Sequence, residues 1–384
     1  MGRSNVAARI TTDLRAKIAA GVYAAGMKIP SRRILAAEYG VAIVTLERAL
    51  SPLFADGTLH ANDRSATYVT GASDSFPAKR SSIAVLYAVP DADDTVESLW
   101  VTLWYQDIVR AAIAAADPLQ LDVRLINRQS ASRIVDGAAL SYRDSIKLAH
   151  QQGAAGVIVI SMLTMTHPEE EAAEILEACE ASKIPAVFLC PRPILLPISH
   201  IFYDQAFASY DAVRRLIELG CSEIIYYRPW AGWWVLDREQ AIAESLADGG
   251  IPFSVSPASA GPDREDKLDL SVEAASELLD GGVEGCGIIA ANDVAGQGFI
   301  RAAMSRGLVA GRDFAIIGFD DEPSSQYFGL TTLRPPLQDL GAEALRLIWR
   351  MINKQSGFVQ MRLRSEMIAR SSTSTHFSRS TATS

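Results

Sequence analysis

From Ile83 to Pro335 the chain alternates short apolar runs with amphipathic segments, and that alternation leaves few folds open. It is clearest in residues 286–336. There the runs Gly287–Ala291 and Phe314–Phe319 end in Asn292-Asp293 and Asp320-Asp321. Between them, Val294–Arg306 is amphipathic and closes at Gly307. Run, helix, run predicts a right-handed βαβ unit with parallel strands. Ligands of such sheets bind outside the carboxyl ends of the strands, so these polar residues mark a candidate small-molecule site.

The same alternation begins at Ile83–Val89 and continues through GVIVI (156–160), PAVFLC (185–190), HIFYD (200–204) and EIIYY (223–227), with helical segments between. Alternating units of this kind imply parallel sheets flanked by helices, an α/β class. The series is too long for one sheet, and CPRPILLP (190–197) interrupts it. Two α/β lobes around a hinged cleft follow, with the strand ends of each lobe facing the other. The late helix Leu337–Asn353 and strand Met361–Ile368 return to complete them. The expected body is 82–372, with a first lobe of about 82–198 and 333–357 and a second of about 199–332 and 358–372. Residues 373–384, within SSTSTHFSRSTATS, read as a disordered low-complexity tail.

Ahead of the body lies a different pattern. Val6, Ile10, Leu14 and Ile18 form one helical stripe, Ser31 is placed to cap a short helix through Tyr39, and a third helix runs from about Ala42 to Asp56. Pro52 is expected to bend that third helix. TLHAND and ATYVT read as a hairpin. Three helices and a two-stranded wing make a winged helix-turn-helix over 1–72. Residues 73–81, rich in Gly, Ser and Pro in their neighbourhood, are a linker.

Charge follows the same division. The net charge of −9 hides nine Lys/Arg against five Asp/Glu in residues 1–72, and 27 against 40 in the rest. A basic head on an acidic body suggests nucleic-acid contact by the head. No apolar run approaches a membrane span, the amphipathic N-terminus is unlike a signal peptide, and the four dispersed cysteines read as buried thiols. A cytoplasmic protein without membrane partners is expected.

Two resemblances sharpen this reading. Leu14-Arg15, Ile18, Gly21, Gly26-Met27-Lys28-Ile29-Pro30-Ser31, Leu35-Ala36, Gly40-Val41, Thr45, Ala49-Leu50, Leu53, Gly57 and Thr67-Tyr68-Val69 resemble the N-terminal domain of GntR-type bacterial regulators. The resemblance implies DNA binding through Lys28, Arg32, Arg33, Thr45, Arg48 and Arg64. Three departures imply an altered sequence preference. Ala42-Ile43 replaces the family's Ser-Arg, Glu47 stands where an Arg is common, and Arg64-Ser65-Ala66 replaces a Gly-x-Gly in the wing. Arg reads guanine bidentately, whereas Glu can accept from cytosine and repels phosphate.

Ala291-Asn292-Asp293-Val294-Ala295-Gly296, Gly318-Phe319-Asp320-Asp321, Leu330-Thr331-Thr332 with Pro335, Leu340-Gly341 and Arg370-Ser371-Ser372-Thr373 resemble the ligand-binding core of the lactose/galactose repressor family and its periplasmic sugar-binding relatives. The resemblance implies a two-lobed periplasmic-binding-protein-like core. Asn292, Asp320 and Arg238 would contact an effector and Trp100 would stack on it. Asp293 and Asp204 read as helix caps, and Asp321 as structural. One departure stands out: Cys190-Pro191 occupies the place of an Asp-Arg pair that grips sugar hydroxyls. The effector is therefore expected to be carbohydrate-like, with a modified sugar, a sugar acid and other molecules all open.

Together the resemblances imply a dimeric, effector-controlled repressor that binds operator DNA. A solute-binding protein for uptake is the alternative, and would need an export signal. A carbohydrate-active enzyme is a third reading. No metal spacing, P-loop or nucleophile elbow supports it, and Gly285-x-Gly287-x-x-Ala290 precedes its strand where a dinucleotide fingerprint would follow one. No cofactor or metal is expected.

Overall fold

The computed structural model describes residues 3–19, 22–23, 27–55, 58–61, 67–69, 81–89, 96–129, 140–161, 168–247, 250–258, 267–374 and 377. The chain divides into two compact units, Met1–Arg80 and Ser81–Ser384.

The first unit holds α1 (Arg3–Ala19), α2 (Arg32–Glu38) and α3 (Ile43–Ala55), then the antiparallel pair β1 (Leu59–Ala61) and β2 (Thr67–Val69). The Ser31 hydroxyl accepts from the Ile34 N–H and starts α2. Ile10 and Leu14 from the α1 stripe pack on Leu35, Leu46, Leu50, Leu53, Leu59 and Val69. α3 continues through Pro52 to Ala55. Lys28 bridges Tyr68, which ties the segment before α2 to the wing. Of the expected linker, residues 73–80 lie outside the described residues, and Ser81 already opens a strand of the second unit.

In the second unit, β3 (Ser81–Tyr87), α4 (Val96–Ala116), β4 (Leu121–Asn127), α5 (Tyr142–Gln151), β5 (Ala154–Ile160), α6 (Pro168–Ser182), β6 (Ala186–Leu189) and β7 (Ser199–Tyr203) build one lobe. α7 (Gln205–Glu218), β8 (Ile224–Tyr227), α8 (Trp233–Leu246), β9 (Phe253–Val255), α9 (Lys267–Asp280), β10 (Gly287–Ala290), α10 (Asp293–Met304), β11 (Ala315–Phe319) and β12 (Thr331–Arg334) build the other. α11 (Leu337–Ile352) and β13 (Gln360–Leu363) return to the first, and β14 (Glu366–Ile368) to the second. Among the described residues the sheet orders are β13-β7-β6-β5-β3-β4 and β14-β12-β11-β10-β8-β9. All pairings within them are parallel except β12 with β14.

Each sheet is covered on both faces, as parallel sheets require. β3 shows how: Ile83 and Val85 pack with Tyr105 and Ile108 of α4 and Leu340 and Ala344 of α11. Ala84 and Leu86, on the opposite face, pack with Ile146 of α5 and Ile175 of α6. α11 and α4 meet closely because position 341 is glycine; a Cβ there would run into the Ile108 carbonyl oxygen.

Three expectations about the lobes need correction. HIFYD, assigned to the second lobe, is β7 of the first, paired with β6 and β13. Met361–Ile368 is two strands, β13 and β14, one in each sheet. The chain therefore crosses between lobes after Tyr203, after Arg334 and after Leu363. Pattern alone missed this because a fully buried strand looks the same in either sheet. The ordered core also runs beyond Ser372. Thr373 is buried with its hydroxyl on that of Thr331 at 2.8 Å, and Phe377 donates its N–H to the Leu219 carbonyl.

Candidate functional site

The site is built where β11 ends. After Phe319 the backbone turns through two successive left-handed residues, Asp320 (φ 99°) and Asp321 (φ 51°). Non-glycine residues in such conformations cost on the order of 1–3 kcal/mol each and persist where their surroundings over-determine them. Here the Asp320 N–H donates to the Leu333 carbonyl at 3.0 Å, and the Asp321 N–H to the Thr332 hydroxyl at 3.2 Å. The Asp321 carboxylate is held by Arg334 at 2.7 Å and Arg370 at 2.6 Å. Asp321 is thus a strut that aims its neighbour.

Asp320, 19% exposed, faces Arg238 of α8 at 3.3 Å. Burial raises its carboxyl above the usual carboxylate range, and the guanidinium pulls in the opposite direction. Arg238 is only 3% exposed. It donates to the Ala291 carbonyl and, at 3.3 Å, to the Tyr203 hydroxyl, while its guanidinium lies 4.1 Å from the Phe319 ring centre and 5.0 Å from that of Trp234. Its Nε is buried without a partner among the described residues. Burial pushes the Tyr203 phenol up to about 12, so it remains a neutral hydroxyl. Trp104 meets the Tyr203 ring edge-on at 6.2 Å. Arg238 and Asp320 belong to the second lobe and Tyr203 to the first, so this cluster spans the cleft near a crossover.

A cavity of about 440 Å³ opens beside it, lined by Asp107, Asp320, Asp321, the segment Arg334–Asp339, Arg364 and Glu366. Both lobes and two of the three crossovers contribute. Arg334 also pairs with Glu366 at 3.3 Å. Farther along, Arg192 of the first lobe reaches Asp237 of α8 at 3.9 Å.

The structure brings Asp320 and Arg238 together, as neighbours in one cluster. Asn292 is the cap of α10: its Oδ1 accepts from the Ala295 N–H at 3.0 Å. That overturns the assignment of the cap to Asp293. Asp293 is buried, accepting from the Thr332 hydroxyl (2.6 Å), the Ser325 hydroxyl (2.7 Å) and the Glu322 N–H (2.8 Å). Asp204 does cap α7, accepting from Phe207, and also pairs with Arg362 across a crossover. Trp100 lies in α4, but its side chain falls outside the described residues. Cys190 is fully buried with its thiol on the Arg192 carbonyl at 3.1 Å, so that position offers no carboxylate to the cleft. Trp230 is buried in the core of the second lobe.

Sequence reading missed Tyr203, Asp107 and Arg364. Tyr203 had a signal, since it ends an apolar strand directly before a cap; placing that strand in the wrong lobe hid its meaning. In the first unit Lys28, Arg32, Arg33 and Arg48 are exposed and Thr45 is half-buried, with Arg32 and Arg33 opening α2 and Arg48 on α3. Arg64 lies outside the described residues.

Residues 6–69 match the gntR family of bacterial regulatory proteins, and residues 213–373 the periplasmic binding protein-like domain. The chain is 28% identical over 187 residues to the catabolite control protein A of Priestia megaterium, covering 48% of this chain and 55% of that protein. The chain thus spans little more than half the length of that relative. A regulator of the lactose-repressor (LacI) family from Enterococcus faecium, solved with bound ribose, superposes with a TM-score of 0.54 at 19% identity, over 77% of this chain and all (100%) of that one. The lac repressor dimer bound to operator and the anti-inducer ONPF gives 0.56 at 18% identity, over 82% of this chain and 99% of that one. No helix among the described residues is long and apolar enough to cross a membrane. This chain joins a domain that matches the gntR family of bacterial regulatory proteins to one that matches the periplasmic binding protein-like domain, and it shares the fold of the lactose-repressor-family structures above.

Proposed function

We propose that this protein is a cytoplasmic, dimeric transcription regulator, a repressor, whose hold on operator DNA is set by a small carbohydrate-like effector. One observation carries the reading. The Arg238–Asp320–Tyr203 cluster couples two hinged lobes on the same chain as a winged helix-turn-helix with exposed Lys28, Arg32, Arg33 and Arg48. A ligand that takes over hydrogen bonds at Asp320 and Arg238 has different contacts in open and closed lobes, and only that difference can shift the equilibrium. A relative with ribose and another holding operator as a dimer support the same reading.

The chemistry of the cavity narrows the effector. Its described lining holds Asp107, Asp320, Asp321, Asp339 and Glu366 against Arg334 and Arg364, an excess of acid. Carboxylates accept from hydroxyls or ammonium groups and repel anions. A neutral or amino-bearing polyol fits better than a sugar acid. Asn292, Asp320 and Arg238 hold the hydroxyls in this reading, and an aromatic from α4, Trp100 or Trp104, covers the C–H face.

A thermal-shift series with neutral pentoses and hexoses, amino sugars and sugar acids tests it, since a ligand selective for the folded state raises the melting temperature. The expected result is stabilisation by a neutral or amino sugar, lost in Asp320→Asn, together with a changed affinity for a selected DNA duplex. A ligand that stabilises the protein yet leaves every duplex affinity unchanged would sink the regulatory reading. Turnover of any sugar in the same panel would revive the enzyme alternative.

A further inference from the structure

The tip of the recognition helix is apolar and exposed. α3 buries Leu46, Ala49, Leu50 and Leu53 in the core of the first unit. Its other face begins with Ala42 and presents Ile43 (45% exposed), Val44 (62% exposed), Glu47 and Arg48 to solvent. In a helix-turn-helix, the residues that reach base edges are those at the N-terminal end of the second helix. Two stiff β-branched side chains stand there, with Arg48 one turn along the same helix and the exposed Arg32 and Arg33 opening α2 of the same unit. The basic flanks match a phosphate backbone, and the unit around them carries an excess of positive charge.

Resting on the proposed DNA-binding function, we infer that Ile43 and Val44 read the 5-methyl groups of thymines in the major groove. In that groove a thymine is marked by its C5-methyl, which apolar side chains contact; guanine is marked by O6 and N7, which need a donor. Ile43 and Val44 have no donor, so they cannot select guanine. They can exclude water from a methyl. Glu47 adds to the same bias, because a carboxylate accepts from a cytosine amino group and repels a guanine edge. Arg48 is the side chain on this face able to fork onto a guanine. The half-site therefore has one or two thymines under the start of α3, followed by a position contacted by Arg48.

Replacing thymine by deoxyuridine deletes the methyl and leaves base pairing intact. Duplexes are first selected from a random library by the full-length chain at low salt. Each thymine of the selected site is then exchanged for deoxyuridine, one at a time, on both strands. At one or two positions per half-site the exchange weakens binding about three- to tenfold, the scale of one buried methyl group. Ile43→Ala with Val44→Ala makes thymine and deoxyuridine equivalent at those positions. Both side chains are exposed, so the variant keeps the melting temperature of the parent within a few degrees. Arg48→Ala weakens the thymine and deoxyuridine duplexes alike. A selected site in which every exchange stays within twofold overturns the inference while DNA binding stands. A library from which nothing is enriched overturns the DNA-binding reading itself.

Discussion

Arg238 of the second lobe donates a hydrogen bond to the hydroxyl of Tyr203, the last strand residue of the first lobe before the chain crosses over, at 3.3 Å. The bond joins the two lobes beside the crossover that follows Tyr203. It helps to hold Arg238 beside Asp320 in the geometry seen here.

Tyr203→Phe removes that bond and leaves the ring and its contact with Trp104 in place. A hydrogen bond to a charged, buried partner contributes about 1.5–3 kcal/mol, so chemical denaturation should report a loss in that range. An unchanged denaturation midpoint would mean that Arg238 finds an equivalent partner.

Asp320 can be dissected by two substitutions. Asp320→Ala strips the charge opposite Arg238 and leaves a Cβ in a left-handed backbone; Asp320→Gly strips the same charge and relaxes the backbone. Removing one partner of a buried ion pair costs about 3–5 kcal/mol. The glycine variant should be more stable than the alanine variant by about 1 kcal/mol. Equal stabilities would show that φ 99° carries no cost here.

The buried acids Asp293 and Glu322 predict a pH dependence. Burial pushes the carboxyl of each up to about 8; the nearby Asp320 raises both, and Asp293 raises Glu322 as well. The unfolded chain titrates near the ordinary values of 3.8 and 4.5. Between these limits the folded state holds more protons than the unfolded, so stability falls as pH rises. The contribution is full below about pH 4 and is lost as pH passes 8. Glu322→Gln removes one of the two raised carboxyls and keeps the backbone N–H that donates to Asp293. Relative to the parent, it should gain on the order of 2 kcal/mol between pH 5 and pH 9 in denaturant melts. A pH-independent difference between the two proteins would exclude this arrangement of charge.

Gly341→Ala drives a methyl into the Ile108 carbonyl at the meeting of α11 and α4. Backbone, unlike a flexible side chain, cannot step aside cheaply. Overpacking of this kind costs about 1–3 kcal/mol, and the melting temperature should fall accordingly. An unaffected melt would mean that the two helices can move apart freely.

Much of the architecture was legible from residues alone. Gly287–Ala291, Val294–Arg306 and Phe314–Phe319 do form β10, α10 and β11, because apolar runs of strand length and a helical stripe differ in period. The winged helix-turn-helix was legible for the same reason. Lobe membership was not. Ser199–Tyr203 is buried throughout, and a uniformly apolar strand carries no label for the sheet it joins. The cap of α10 was also misread by one residue, since Asn and Asp cap equally well and only backbone geometry separates Asn292 from Asp293.

By itself, the sequence determined the alternation of strand and helix, the basic helical head, and the strand ends that carry Asp320 and Asn292. These follow from local periodicity and from side-chain chemistry, which act over a few residues. Tertiary structure alone decided that Arg238 is buried against Asp320, Ala291 and Tyr203, residues 35 to 82 positions away in the chain. It decided too that Asp293 is an interior acid, and that Ile43 and Val44 face outward. A side chain's partner across the fold depends on how whole elements pack, and that packing is set by the sum of many contacts no local pattern contains.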